Sequence, residues 1–166
     1  ARLAAVVPCY NAGARVEPVV RSLLEQLDHV VVVDDGSTDG ATAPLQALGA
    51  SVIHFPENKG KGFAMLAGFR AALAAEPVRG VVIVDADGQH DAGELANLWQ
   101  AFVKNDADLV IGTRTFDGAH VPLRSKIGNK FTAAATRILI GAPIADTQSG
   151  FRIHSRRLLE DILKTI

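Results

Sequence analysis

The chain has a single cysteine, Cys9, among its 166 residues. An intramolecular disulfide framework is therefore excluded, and a reducing compartment is expected. It has no excess of either charge: 17 Lys and Arg stand against 18 Asp and Glu, for a net charge of −1. No global basic field exists to hold DNA or RNA. No uncharged apolar run approaches the roughly 18 residues of a membrane span, and no basic segment followed by an apolar stretch opens the chain. It opens at Ala1 without a Met and stops at Ile166 inside a helical pattern, so a longer protein, truncated at the C-terminus, is expected. Internal repeats and low-complexity segments are absent. At about 150 residues per domain the length leaves room for one domain and excludes two full enzymatic ones. With 48% hydrophobic and 21% charged residues the chain is too apolar for disorder and long enough to bury a core.

Two nucleotide-binding signatures are missing as well. No GxxxxGK[ST] string occurs, and Gly60-Lys61-Gly62-Phe63-Ala64-Met65 breaks the dinucleotide fingerprint at its third glycine and follows the wrong strand. Neither a phosphate-loop NTPase nor a nicotinamide dehydrogenase is favoured. Phosphates would depend on metal and basic side chains, for which Lys59, Lys61, Arg114, Arg124 and Arg152 are loop-borne candidates.

What is present is a rhythm. Apolar, β-branched runs recur at Ala4 to Val7, Val30 to Val33, Val52 to Phe55, Val81 to Val84 and Leu109 to Ile111. Being continuous rather than alternating, they read as strands buried on both faces. Between them lie helical spacings such as Val16-Val19-Val20-Leu23-Leu24-Leu27 and Leu95-Leu98-Trp99-Phe102, with Trp99 and Phe102 as core, and an alanine-rich stretch from Met65 to Ala75 that carries no functional signal. Strand and helix alternate, so the fold class is α/β: a mostly parallel sheet with helices on both faces, binding ligands at the edge where strands end. Past Ile111 come a loop to Arg124, a helix from about Ser125 to Ile140, and a last strand-helix unit. This is an elaboration of one domain, whose two parts, about 1–111 and about 112–166, meet near Ile111.

The fourth run empties into Asp85-Ala86-Asp87-Gly88-Gln89-His90. In an extended chain Asp85 and Asp87 point to one side, and two hard oxygen ligands so spaced suit Mg²⁺ or Mn²⁺ held together with substrate phosphates. Two adjacent carboxylates would repel each other without a cation. His90, three residues on from Asp87, either approaches the metal or is a surface histidine, and Asp91 caps the helix that follows. The second run ends in Asp34-Asp35-Gly36-Ser37-Thr38-Asp39, where Gly36 must turn and Ser37 or Thr38 can cap a following helix. Two acidic pairs delivered to one edge suggest that one hydrogen-bonds the ligand while the other holds metal. Cys9, beside Pro8, reads as a small buried hydrophobe. His29, His54, His120 and His154 show no metal spacing.

Together, Val7-Pro8-Cys9-Tyr10-Asn11, Val33 to Asp39, Asn58-Lys59-Gly60-Lys61-Gly62, Asp85 to His90, Gly112-Thr113-Arg114 and Asp146-Thr147-Gln148-Ser149-Gly150-Phe151-Arg152 resemble glycosyltransferase family 2. The likeness runs in order over essentially the whole chain, and its Asp-Gly-Gln and Ser-Gly-Phe-Arg strings look most like polyprenyl-phosphate (dolichol-phosphate) mannosyl- or glucosyltransferases. The resemblance implies a GT-A fold, a nucleotide-diphosphate sugar donor such as a GDP- or UDP-hexose, and inversion at the anomeric carbon. It implies that Pro8, Tyr10, Asn11 and Glu17 border the nucleoside, that Asp35 bonds the base, and that Lys59 and Lys61 approach the nucleotide. Asp85 and Asp87 would hold Mg²⁺ or Mn²⁺ on the diphosphate, Gln89 would face sugar and acceptor, and Arg114 and Arg152 would contact phosphates. An anionic lipid phosphate needs positioning rather than a base; a hydroxyl acceptor would need one, with Asp146 the candidate.

In the region of Asp146 the Glu-Asp pair of sugar-polymerising synthases is absent, and no QxxRW string occurs up to Ile166. On the helix from about Ser125, an apolar stripe of Ile127, Phe131, Ala135 and Ile138 adjoins a basic one of Lys126, Lys130 and Arg137. That pattern is compatible with lying on an anionic membrane and equally with packing on the sheet. The expected location is the cytosolic face of a membrane. The alternatives are a haloacid-dehalogenase-type phosphatase with Asp85 as nucleophile, although that motif normally opens its fold, a sugar nucleotidyltransferase, whose Gly-rich N-terminal signature is absent, and a non-catalytic nucleotide-sugar binding domain.

Overall fold

The computed structural model describes residues 2–75, 77–88, 93–112 and 151–165. Strands β1 (Arg2–Cys9), β2 (Val30–Asp34), β3 (Ser51–His54), β4 (Val78–Ile83), β5 (Leu109–Ile111) and β6 (Arg152–Ser155) form one sheet in the order β3-β2-β1-β4-β6-β5. β1 runs parallel to β2 and β4, and β2 parallel to β3. Helices α1 (Val16–Leu24), α2 (Lys61–Ala75), α3 (Gly93–Lys104) and α4 (Arg156–Thr165) flank the sheet.

Both faces of the sheet are covered, which is why the strands read as unbroken apolar runs. Ala5, Val7, Val30, Val32 and Val82 face a core with Val16, Val20 and Leu23 of α1 and Leu95, Leu98 and Phe102 of α3. Ala4, Val6, Val31, Val33, Val81 and Ile83 face the other way, onto Ala64, Phe69 and Ala72 of α2 and Leu159 of α4. Each large side chain so buried contributes roughly 1.5–3 kcal/mol. On α2 the small residues Ala64, Gly68 and Ala72 recur every four positions and are all buried. A Cβ at Gly68 would collide with Val6 Cγ1, so the alanine-rich composition lets this helix lie close on the sheet. Phe102 is core as expected, with Trp99 stacked on it at 5.4 Å between ring centres.

Three expectations need correction. β6 runs antiparallel to β4 and β5, so not every strand ends on the same edge; β6 instead begins there, with Arg152 opposite Ile83 and Ile111. No capped α-helix follows Ser37 and Thr38. Residues 41–49 make successive i→i−3 turns, from Ala43 N to Gly40 O at 3.2 Å through Gly49 N to Gln46 O at 3.1 Å, and Pro44 supplies no amide for a helical ladder. β4 starts at Val78, ahead of Val81, because Val78 and Gly80 already pair with Arg2 and Leu3. The helix expected from about Ser125 to Ile140, like His90, Asp91 and His120, lies outside the described residues. Among the described residues no helix is long and apolar enough to cross a membrane.

Candidate active site

The ends of β1, β2 and β4 and the start of α2 enclose a cavity of about 320 Å³ lined by Pro8, Cys9, Tyr10, Asp35, Asn58, Gly60, Lys61, Ala64 and Asp85. Its place, at the C-terminal ends of parallel strands, is where open α/β sheets bind ligands. A larger cavity, about 400 Å³, opens near the other ends of β1 and β4, among Arg2, His29, Val78 and Trp99. None of the residues expected to do chemistry lines it.

The acidic pair after β2 does not work as a pair. Asp34 is buried and turned inward: Oδ2 accepts from Thr42 Oγ1 at 2.6 Å and lies 3.0 Å from His54 Nδ1, while Oδ1 accepts from the Ser37 amide at 2.9 Å. Burial pushes its carboxyl up, but the hydrogen bonds from Ser37, Thr42 and His54 outweigh that and leave it below the ordinary value. Asp35, only 3% exposed, clamps the loop between β3 and α2. Its Oδ1 accepts from the Lys59 amide at 2.7 Å and its Oδ2 from the Gly60 amide at 2.9 Å. That loop passes directly over Gly36, where φ is +75° and a Cβ would stand 2.5 Å from the Glu57 carbonyl carbon and 2.6 Å from the Asn58 nitrogen. Only glycine meets both demands.

Ser37, Thr38 and Asp39 secure the other neighbouring loop. Ser37 Oγ accepts from the Asn11 amide at 2.9 Å, Asn11 Oδ1 accepts from the Thr38 amide at 2.9 Å, and Asp39 Oδ2 accepts from the Gly13 amide at 2.8 Å. Asn11 takes a left-handed φ of +47°, which asparagine tolerates better than most residues. Asn11 thus spends its side-chain oxygen on the 37–39 loop beside Tyr10, a residue 53% exposed at the cavity. Cys9 is buried, as expected, and burial pushes its thiol up to about 11.

After β4 the chain does not stay extended: Ala86 and Asp87 form a turn before Gly88, whose φ is +75°. Asp85 lines the cavity and Asp87 stands beyond its lining. Lys61, the first residue of α2, lays its Nζ 2.5 Å from Asp85 Oδ1. A cation already rests on this carboxylate, and its hard oxygens fit Mg²⁺ or Mn²⁺. Among the described residues no three His, Cys, Asp or Glu side chains gather to hold a metal.

The remaining expected residues divide. Pro8, Tyr10, Asp35, Lys61 and Asp85 are brought together around the cavity, and Arg152 enters the sheet at the same edge. Glu17 is drawn to its own helix, where its Oε1 accepts from Arg21 Nε at 2.9 Å and Nη2 at 2.8 Å. Lys59 holds its ammonium over the Phe55 ring, 5.6 Å from the centroid. Gln89, Arg114 and Asp146 lie outside the described residues. Sequence reasoning placed the turn at Gly36 but missed the loop packed on it, Thr42 and the Asn11–Thr38 contact; the polar clustering of Ser37, Thr38 and Asp39 was the available signal.

The sequence matches the profile of glycosyl transferase family 2 over residues 4–163, and the chain belongs to that family. It is 35% identical to the polyprenol monophosphomannose synthase of Mycolicibacterium smegmatis across 97% of this chain and 64% of the relative. It is 30% identical to the undecaprenyl-phosphate mannosyltransferase of Micrococcus luteus, over 97% of this chain and 69% of that one. Among solved structures, the glucosyl-3-phosphoglycerate synthase of Mycobacterium tuberculosis in complex with Mn²⁺ and UDP-glucose superposes with a TM-score of 0.71 at 26% identity, covering 94% of this chain and 56% of that one. The chain therefore spans about two thirds of the length of these curated relatives. The expected GT-A arrangement is the fold observed, and family membership removes the phosphatase alternative.

Proposed function

We propose that the chain carries the donor site of an inverting, divalent-metal-dependent glycosyltransferase that moves a hexose from a nucleotide-diphosphate sugar to a polyprenyl phosphate. The observation that carries this reading is the cavity at the strand ends, lined together by a carboxylate holding a cation, Asp85 with Lys61, by the exposed Tyr10 and by Asp35, which clamps the loop leading into Lys61. Two of the relatives bear the names polyprenol monophosphomannose synthase and undecaprenyl-phosphate mannosyltransferase, which supports a lipid-phosphate acceptor and hence work at a membrane; the cytosolic face is the side that a single, unpaired cysteine favours.

In this reading Tyr10 and Pro8 bound the nucleoside, with Asn11 setting the loop that presents them. Asp35 keeps the 59–60 backbone in place and offers its remaining lone pairs to the base. Lys61 and the first-turn amides of α2 face the diphosphate, because a helix N-terminus carries partial positive charge. Asp85 and Asp87 would hold the cation, which when bound offsets negative charge gathering on the leaving nucleoside diphosphate. Arg152, at the same edge, and Arg114 would bind phosphate oxygens, with Gln89 toward the sugar. A phosphate acceptor is already anionic, so alignment on the far face of the sugar is the main requirement; Asp146 becomes a base only for a hydroxyl acceptor.

Thermal stability of the full-length protein with GDP and UDP separately, each with and without Mn²⁺, tests the reading. Ligand at about 100 times its dissociation constant adds about 2.7 kcal/mol, a rise of several degrees for a domain of this size. The expected result is a metal-dependent rise with one nucleotide that is lost in Asp87→Ala, which also names the donor base. No rise with either nucleotide would overturn the donor-site assignment.

A further inference from the structure

Lys61 is oddly placed for a helix former. It opens α2, where first-turn amides already present positive partial charge and a carboxylate would be the favourable residue. α2 carries no acidic residue in that turn. The compensating charge comes from another element, since Lys61 Nζ stands 2.5 Å from Asp85 Oδ1, across a separation of 24 residues. The two partners differ in freedom. The Asp85 side chain is 21% exposed and the Lys61 side chain 55%. Both line the same cavity. The carboxylate is thus held by the fold, while the ammonium sits on a long stem that can swing without disturbing the helix.

We propose that Lys61 is an exchangeable counter-ion: without donor its ammonium rests on Asp85 in the place of a divalent cation, and when metal and nucleoside diphosphate arrive together it moves from the carboxylate to the diphosphate. The proposal rests on the metal–nucleotide reading of the site. The charges favour it. A divalent cation arriving alone must share Asp85 with an ammonium or expel it into water, losing an ion pair either way. A nucleoside diphosphate arriving with the metal brings two phosphate groups, enough negative charge to receive the displaced ammonium. Metal and nucleotide then bind more tightly together than separately, and Lys61 is the residue that couples them.

Removing the ammonium should act with opposite sign on the two ligands, which a merely structural role for Lys61 would not do. In the full-length protein, free Mn²⁺ is followed by its paramagnetic resonance signal during titration of wild type, Lys61→Met, Lys61→Gln and Asp85→Asn, each with and without GDP or UDP. Circular dichroism checks folding. Lys61→Met is expected to bind Mn²⁺ alone about two- to fivefold more tightly, the range set by a partly exposed ion pair. With Mn²⁺ saturating, it should bind the nucleotide about tenfold or more weakly, as loss of a charge-assisted hydrogen bond to phosphate requires. Lys61→Gln should follow it in both directions. A folded Lys61→Met that binds Mn²⁺ alone no better than wild type, including the case where neither binds it, overturns the exchange. If Asp85→Asn binds Mn²⁺ as wild type does, the metal-site assignment itself fails, and the exchange with it.

Discussion

Asp35→Asn keeps the volume of the side chain but removes its charge and turns one acceptor into a donor. In the structure both carboxylate oxygens are committed, at 2.7 Å to the Lys59 amide and 2.9 Å to the Gly60 amide, by a residue only 3% exposed. Asparagine can accept from one of these amides, while its NH₂ must face the other donor. One charge-assisted hydrogen bond is lost, worth about 1.5–3 kcal/mol, and a buried donor is left without an acceptor. The two costs overlap, because both describe the same broken contact, so together they come to roughly 2–4 kcal/mol, and at about 2–4 °C per kcal/mol the midpoint should fall by roughly 5–15 °C. The measurement is urea and thermal unfolding with no nucleotide present. That condition matters, because a residue whose only task is to bond the base would leave the ligand-free protein as stable as wild type. An unchanged midpoint would refute the clamp and return Asp35 to base recognition alone. Asp35→Ala should cost more, since it also opens a cavity.

Gly68→Ala should destabilise by about 1–3 kcal/mol, because its Cβ would meet Val6 Cγ1 and lie 3.2 Å from Val33 Cγ2; denaturant midpoints check this, and a gain in stability from the better helix former would contradict the close packing of α2. His154, mid-strand in β6 with its ring 5.5 Å from Phe69, is pushed down to about 4 from the ordinary 6.5 by burial and then by Arg152. The unfolded chain therefore takes up a proton that the folded one refuses between pH 6.5 and 4. Stability should drop across that window by roughly 3 kcal/mol and stay lost below it. His154→Gln should flatten this part of the profile, and an unaltered slope would argue against a neutral, half-buried ring. Cys9, with its thiol near 11, should resist thiol reagents at pH 8 in the native protein and react fully once unfolded; rapid native labelling would show that the cavity floor is open.

The two acidic strings show what a sequence discloses and what it withholds. That the runs Val30 to Val33 and Val81 to Val84 deliver acidic residues to one sheet edge was legible, because continuous apolar runs mark buried parallel strands. The division of labour was not. Asp34 and Asp35 differ by one position, and alternation sends one carboxylate to Thr42 and His54 and the other to Lys59 and Gly60. Those partners lie up to 25 residues away and become visible only when β3 is laid beside β2. Asp85 and Asp87 were read in an extended chain, whereas the turn at Ala86 and Asp87 separates their surroundings. The Glu17–Arg21 pair, by contrast, stood at i,i+4 spacing in plain view. The small-residue row Ala64, Gly68, Ala72 was equally visible as a four-residue repeat.

These corrections change how the site is held together. The string after β2 was expected to meet the ligand; most of its polar atoms build the walls. Asp35 and Gly36 seat the loop that leads into Lys61, and Ser37, Thr38 and Asp39 seat the loop that carries Tyr10. The position of the Lys61 ammonium on Asp85 therefore depends on a clamp two residues before it, at Lys59. A substitution at Asp35 should loosen the Lys61–Asp85 pair without touching either partner, so Asp35→Asn should shift metal-only binding in the same direction as Lys61→Met, by a smaller factor. Mn²⁺ titration of the folded variant decides it: affinity unchanged from wild type would mean that the start of α2 is fixed by its packing on Val6 and Val33 rather than by the clamp.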